Sequence, residues 1–140
     1  MSSSPIDDVK PSENSYLLDS SALLAVILSE PGHERVIEEL ERGALMSAVN
    51  LAEVAARLSD FDFTPGEIVD SMNQLQVQSV GFEDAHAYGS GLLRAATKPF
   101  GLSLGDRACL ATALILNTPV LTADRQWAQV DVGVQIELCR

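Results

Sequence analysis

Four acidic residues of this 140-residue chain lie at the starts of predicted helices, and three of them come just after apolar runs typical of buried strands. They are Asp19, Glu53, Asp106 and Asp124. If the four carboxylates meet, they need cations, because two of them about 4 Å apart repel by roughly 4 kcal/mol at an effective dielectric near 20. Mg²⁺ and Mn²⁺ prefer carboxylate and water oxygens, and such sites clamp phosphate oxygens and activate water. The residue types therefore predict a metal site suited to phosphodiester cleavage.

Each carboxylate also has a structural alternative. Asp19 could accept backbone N–H bonds in a turn, and Glu53 could pair with Arg57 one helical turn away, a contact worth about 0.2 to 0.5 kcal/mol. The other two acids could cap the helices that they open. Because Glu53 and Asp106 both border strongly apolar segments, a buried cluster is favoured over four separate surface positions.

The elements that must position these acids alternate in type along the chain. Apolar or alternating runs predict five strands, at 15–19, 44–49, 77–82, 120–122 and 134–138. Apolar periodicity and capping signals predict helices between them, at 22–28, 33–42, 51–58, 64–75, 83–97 and 103–116. Asn50 is predicted to cap the helix at 51–58, which places Glu53 in its first turn.

Strands separated by helices predict parallel pairing through right-handed crossovers. We therefore expect a three-layer α/β/α domain with a central parallel sheet of about five strands. Ligands of such sheets bind at the carboxyl ends of the strands, where the strand order reverses. Three of the acids should meet at that edge, and Asp106 joins them if its helix begins on the same side.

The composition limits the class of protein. With 46% hydrophobic and 21% charged residues, the chain can bury the core of one domain, predicted at 15–140 after a flexible leader at 1–14. Its longest apolar run, 22–28, is too short to span a bilayer, and no secretory signal is present, so a cytoplasmic protein is expected. Cys109 and Cys139 lack a metal-ligand spacing and are predicted to be buried, reduced thiols.

The formal net charge of −11 opposes general nucleic-acid binding, which depends on Lys and Arg. The charge is uneven along the chain. Residues 30–84 hold twelve acids and three arginines, whereas residues 85–130 hold two acids and four basic side chains: Arg94, Lys98, Arg107 and Arg125. Any site for an anionic partner is therefore predicted in the second half of the chain.

Five segments follow one another in a fixed order over more than a hundred residues: LLDSSALLA, EPG, NLAEV, LSLGDRACLATA and LTADRQW, at 17–25, 30–32, 50–54, 102–113 and 121–127. In this order and spacing they closely resemble the PIN-domain family, in particular the VapC-type toxins of bacterial and archaeal toxin–antitoxin pairs. The resemblance covers about 16–138. The leader departs from the family pattern, in which the first strand begins almost at the initiator Met.

The resemblance implies a type II toxin that is a Mg²⁺- or Mn²⁺-dependent endoribonuclease, with the four acids as its metal site. Asp19, Asp106 and Asp124 are expected to bind the metal directly, and Glu53 directly or through water. Supporting hydroxyls are implied at two further places, for which helix capping is the alternative: Ser21, or less directly Ser20, and Thr122. A homodimer and a small VapB-like antitoxin, whose tail blocks the site, are the implied protein partners.

Four basic residues are candidates for contact with RNA. Arg107 and Arg125 directly follow two of the acids and are the first candidates for phosphate contact. Arg94 and Lys98 would contact the RNA farther from the site. The alternative for all four is ordinary solvation or a surface salt bridge. The identity of the RNA does not follow from these residues.

Other residues with chemical potential are predicted to be structural. His33 and His86 lie at helix starts without a nucleophile motif, and Trp127 is expected in the core. Gly89 and Gly91, within one predicted helix, indicate close helix packing or a dimer contact.

Three alternative functions share parts of this pattern. A haloacid-dehalogenase-like phosphatase needs a second acid two residues after Asp19, where Ser21 stands. A receiver domain needs an acidic pair near the N-terminus, a phospho-accepting Asp and a late Lys, and Lys98 precedes a Pro-Phe-Gly turn instead. The remaining alternative is a PIN-fold module that binds RNA or protein without cutting.

Overall fold

The computed structural model describes residues 15–140, so the predicted leader at 1–14 lies outside the described residues. Five short strands are present in that range: β1 (Leu17–Leu18), β2 (Leu45–Ser47), β3 (Gln78–Val80), β4 (Val120–Thr122) and β5 (Ile136–Leu138). They form one sheet in the order β3-β2-β1-β4-β5, and every neighbouring pair is parallel. The predicted five-stranded parallel sheet is confirmed.

Seven α-helices connect these strands in the described part of the chain. They are α1 (Ser20–Ile27), α2 (His33–Arg42), α3 (Ala48–Asp60), α4 (Pro65–Leu75), α5 (Asp84–Leu92), α6 (Arg94–Thr97) and α7 (Leu104–Leu116). Two 3₁₀ segments follow α6 and β4, at Lys98–Phe100 and Arg125–Gln129. The predicted alternation of strands and helices, typical of an α/β domain, is therefore confirmed.

The layers follow from the alternation of side chains along the strands. Leu17 belongs to the core cluster that contains Trp127, whereas its neighbour Leu18 belongs to the cluster that contains Val54. All four side chains are fully buried. The sheet thus has helices on both faces, and Trp127 has the core position predicted for it.

Three predicted helices differ from the structure. The helix at 22–28 begins at Ser20 instead, with Asp19 as its cap. The helix at 51–58 begins at Ala48 instead, because Ser47 ends β2 with an extended backbone and its hydroxyl accepts the N–H of Val49 at 3.2 Å. Asn50 is therefore not its cap, and Glu53 lies in its second turn. The helix predicted at 83–97 divides into α5 and α6, and the 3₁₀ turn that follows contains Pro99.

The residues predicted to be structural have local partners. His86 is buried, and its Nδ1 accepts the N–H of Glu83 at the start of α5. A Cβ on Gly89 would lie 3.3 Å from that of Ala111, so α5 and α7 pack closely at this glycine. Both cysteines are free thiols, Cys109 buried and Cys139 half-buried. Across residues 15–140, no helix has the length and apolar content needed to cross a membrane.

Candidate active site

Asp19 lies at the carboxyl end of β1, the strand that pairs with both β2 and β4. It is only 3% exposed and caps α1 by accepting the Ala22 N–H at 2.9 Å. Its carboxylate also accepts hydrogen bonds from the hydroxyls of Ser21, at 2.8 and 2.9 Å, and Thr122, at 2.6 Å. Burial raises the pKa of Asp19 to about 6, although these hydrogen bonds oppose the rise. The negative charge of Asp19 is therefore costly until a cation compensates it.

The hydroxyls of Ser21 and Thr122 connect the ends of β1 and β4. They lie 3.3 Å apart, and each also accepts a backbone N–H, from Ala123 and Asp124 respectively, at 3.0 Å. Because their protons point to Asp19, these hydroxyls orient the acid instead of capping a helix.

Glu53 is held by side chains from two helices. Its Oε1 accepts hydrogen bonds from Ser20 Oγ at 3.0 Å and from Asn50 Nδ2 at 2.8 Å. The alternative pairing with Arg57 does not form, because the Arg57 guanidinium lies over the ring of Phe61, 5.0 Å from its centroid. Glu53 is therefore turned toward the site and away from its own helix surface.

Asp106 lies in the first turn of α7, where it forms a capping box with Ser103. Its Oδ2 accepts the Ser103 N–H at 2.9 Å, and its own N–H donates to Ser103 Oγ at 3.2 Å. Burial raises the pKa of Asp106, and the negative charges of Glu53 and Asp124 raise it further. Asp124 caps the 3₁₀ segment after β4 by accepting the Gln126 N–H at 2.9 Å. Both acids use one carboxylate oxygen for a cap.

The four acids lie at the carboxyl edge of the sheet, where Asp19 and Asp124 follow β1 and β4, and Glu53 and Asp106 lie near the starts of α3 and α7. Asp106 is electrostatically coupled to each of the other three: Asp19, Glu53 and Asp124. Within residues 15–140, however, no group of three or more Asp, Glu, His or Cys side chains is arranged to hold a metal ion as it stands.

The donor set fits a hard divalent cation. It consists of four carboxylates, and burial raises the pKa values of two of them, Asp19 and Asp106, whose charged forms a cation would favour. Cys109, one turn after Asp106 on α7, adds no soft ligand. Burial, and then the nearby charges of Asp19, Asp106 and Glu53, keep the pKa of its thiol well above the usual value.

Arg107 differs from the other basic candidates. Its Nη1 donates to the carbonyl oxygen of Ser90 near the end of α5 at 2.9 Å, and its Nε is buried without a partner among the described residues. It therefore fastens α5 to α7, which the sequence did not indicate. Arg125, Arg94 and Lys98 are exposed.

Two residues of the site were not recognised as such in the sequence. Asn50 was expected to cap a helix, yet its side chain contacts Glu53 and the carbonyl oxygen of Gly105 at 3.1 Å. Gly105 precedes Asp106, and a Cβ at this glycine would overlap the Glu53 carboxylate. Both depend on the contact between α3 and α7, which no local signal reveals.

Three solved structures illustrate the structural similarity. A chain of the DNA-bound VapBC from Salmonella typhimurium is 16% identical, with a TM-score of 0.72 over 91% of this chain and 99% of that one. A chain of VapBC2 from Rickettsia felis, bound to a DNA fragment from its promoter, is 16% identical, with a TM-score of 0.69 over 89% of this chain and 98% of that one. A chain of a toxin–antitoxin complex from Klebsiella pneumoniae is 20% identical, with a TM-score of 0.64 over 89% of this chain and 98% of that one.

These identities establish similarity of fold alone, and no curated protein sequence matches this chain. The family is established by sequence. The model of the PIN domain matches residues 16–133, which is most of the chain and includes all four acids. The resemblance to the PIN-domain family found in the sequence is thus confirmed. The chain belongs to the PIN domain family.

Proposed function

We propose that this protein is a metal-dependent endoribonuclease and the toxin component of a type II toxin–antitoxin system. One observation carries the proposal. Four carboxylates lie at the edge where the strand order reverses, near enough for their charges to raise the pKa values of Asp19 and Asp106, and in the described part of the chain none of the four forms a salt bridge. Such a cluster needs a cation from outside the chain.

Mg²⁺ or Mn²⁺ is the proposed cation, held by Asp19, Asp106 and Asp124 and, directly or through water, by Glu53. When bound, such an ion clamps phosphate oxygens and activates water for in-line cleavage of a phosphodiester. The protein's own contribution is to fix the ligands before the substrate arrives. The hydroxyls of Ser21 and Thr122 perform this role for Asp19.

Arginines beside the acids would orient the RNA. Arg125 is exposed and next to Asp124, so its guanidinium is free to contact a phosphate. Arg107 would contribute only those N–H groups that do not hold Ser90. Arg94 and Lys98 are exposed between α5 and α7 and would contact the strand farther from the scissile bond.

An apolar groove between α1, α2 and α4 supports an antitoxin partner. Two adjoining hollows share Gln74 and Leu75. Their apolar lining comes from all three helices and the loop before α4: Val26, Ile27, Ile37, Leu40 and Phe63. Glu41 also lines one of the hollows, and residues 30–84 hold twelve of the chain's acids. We propose that an amphipathic, basic segment of a VapB-like antitoxin occupies the groove, since VapBC complexes are among the structural neighbours.

A homodimer is part of the proposal. Tyr88 and Leu92 lie one turn apart on α5, 75% and 84% exposed, and form an apolar stripe suited to a second copy of the chain.

A non-catalytic PIN module is the second candidate. It is favoured by one observation, namely that no three acids of the described residues are arranged to hold a metal. In that case the site would bind RNA or protein without cleaving it.

A cleavage assay separates the two candidates. Purified, antitoxin-free protein is incubated with total RNA in Mn²⁺ or Mg²⁺, and then in EDTA. We expect discrete fragments that form only with the metal. RNA that is bound but never cut would favour the non-catalytic module.

A further inference from the structure

We propose that Asn50 is a positioning residue, which fixes the Glu53 carboxylate against the turn of α7 that carries Asp106. This inference rests on the proposed metal site, and it concerns how two of the acids keep a constant relation to each other. Asn50 would not touch the metal or the RNA.

The hydrogen bonds of Asn50 determine the orientation of its amide. Its Nδ2 donates to Glu53 Oε1 at 2.8 Å and to the carbonyl oxygen of Gly105 at 3.1 Å. Both partners are acceptors, so the group facing them must be the NH₂. With one side chain, α3 is thereby joined to the first turn of α7, 55 residues away in sequence.

Gly105 makes this arrangement possible. A Cβ at this position would overlap the carboxyl group of Glu53, so any other residue would push the acid or the helix away. Glu53 therefore lies directly against the backbone of the residue before Asp106. A displacement of one acid by an ångström would change the geometry of both.

The side-chain oxygen of Asn50, which accepts no hydrogen bond among the described residues, argues against a purely stabilising role. Asn50 is 1% exposed, and its Oδ1 is buried without a hydrogen-bond partner among the described residues. An unsatisfied buried acceptor is destabilising, and an apolar side chain would avoid it. The feature that an apolar residue cannot supply is the pair of N–H donors directed at Glu53 and Gly105.

Glu53 keeps one oxygen for another partner. Ser20 and Asn50 both donate to Oε1, and no hydrogen bond from the described residues reaches Oε2. Two donors from α1 and α3 thus hold the acid through a single oxygen. Groups that orient metal ligands in this way typically change metal affinity or activity about 10- to 100-fold when removed.

A double-mutant cycle measured by Mn²⁺ binding, without RNA, tests the inference. Calorimetry compares the wild type with Asn50→Ala, Glu53→Ala and the double variant. We expect Asn50→Ala to weaken Mn²⁺ binding by about tenfold or more. The double variant should bind no more weakly than Glu53→Ala alone, because Asn50 acts through Glu53.

Ser47→Ala is the matched control. It removes a side-chain hydrogen bond from the same helix at its N-cap, without contact with Glu53. It should lower the melting temperature and leave the Mn²⁺ affinity unchanged. An Asn50→Ala affinity equal to wild type, or losses that add in the double variant, would overturn the inference.

A measurement without metal tests the inference even if Asn50→Ala does not fold. In the NMR spectrum of the wild type, the Asn50 side-chain amide protons should exchange slowly, and Glu53→Ala should shift them. Fast exchange and no shift would overturn the inference. Failure of the proposed function gives a different result. If the four proteins bind Mn²⁺ as expected but the wild type cleaves no RNA, the nuclease proposal is refuted and the positioning role of Asn50 stands. A wild type that binds no Mn²⁺ overturns both.

Discussion

Two groups of acids in this molecule differ in what neutralises them. In the first group, which we call the arginine cluster, Glu39 pairs with both Arg35 and Arg42, and Glu137 pairs with Arg35. The Arg35 Nε lies 2.7 Å from Glu137, and Arg42 lies 3.0 Å from Glu39. Tyr16 adds a hydrogen bond to Glu137 at 2.8 Å. These contacts tie α2 to β1 and β5.

The acids of the candidate site have no such partners. Asp19 and Asp106 are surrounded by hydroxyls, backbone N–H groups and other acids. The pKa values move accordingly: hydrogen bonding with Arg35 lowers that of Glu137, whereas burial raises that of Asp19. The difference teaches that burial alone does not identify a functional acid. Among buried, hydrogen-bonded acids, those without a cation in their own chain are the better candidates for metal ligands.

The comparison would be tested most strongly by Asp19→Asn. We expect RNA cleavage to fall on the order of 10³-fold or more, because a metal ligand is lost, while the fold is retained. Asparagine resembles the protonated acid that burial already favours. Fragment analysis on gels and thermal melting would check both points.

Glu137→Gln in the arginine cluster is the matched control. It should cleave RNA near the wild-type rate. Full activity of Asp19→Asn would refute the site.

Glu39→Gln is expected to have the largest effect on stability. The Glu39 side chain is completely buried between Arg35 and Arg42, and breaking such a pair typically costs about 3 kcal/mol or more. Urea unfolding would measure the loss. Cleavage well below the melting temperature should persist, and a stability equal to wild type would show that the pair contributes nothing.

When no metal is present, the contributions of Asp19 and Glu137 to folding stability should change in opposite directions with pH. The pKa of Asp19 is raised from 3.8 to about 6 in the folded state, so the unfolded chain releases this proton first. Its stabilising contribution is full below about pH 4 and is lost as the pH rises through about 6, by up to about 3 kcal/mol. Glu137, whose pKa is lowered from 4.5, stabilises above that value, and this contribution is lost as the pH falls.

Urea unfolding in EDTA between about pH 3.5 and about pH 7.5 would show both effects. Asp19→Asn should remove the loss on the alkaline side, and Glu137→Gln the loss on the acidic side. A wild type whose Asp19-dependent stability increased from pH 4 to 6 would contradict the assignment of a buried, unneutralised acid.

The smallest expected effect concerns an exposed arginine. Arg125→Ala should weaken RNA binding by about 1 to 2 kcal/mol and reduce the dependence of log K on log salt by about one. The cause is loss of one phosphate contact, and cleavage at saturating RNA should be maintained. Filter binding at several salt concentrations measures the slope. An unchanged slope would assign Arg125 to ordinary solvation.

Much of the architecture could be predicted because it depends on local signals. Apolar runs indicate the strands, and the helices predicted at 64–75 and 103–116 from capping signals both begin at a capping box, with Thr64 and Ser103 as the caps. The sequence also showed that acids follow the strands, and parallel pairing then places them at one edge. What it could not show were contacts between distant elements.

Three residues illustrate that limit. Ser47 and Asn50 are both good caps, and the end of β2 decides between them. Glu39 lies on α2, a helix rich in charged residues, yet it is 1% exposed because Arg35 and Arg42 enclose it. Each outcome depends on side chains brought together by the fold, which periodicity along one helix does not report.

The hydrogen bond between Thr122 and Asp19 determines when the site can assemble during synthesis of the chain. The two residues are 103 positions apart, and β1 cannot gain its second neighbour until β4 has been made. Contacts of such separation form late in folding, because loop closure must precede them. No nascent fragment that ends before β4 contains the assembled acids. A ribosome making this protein therefore carries no complete site until the greater part of the chain has emerged.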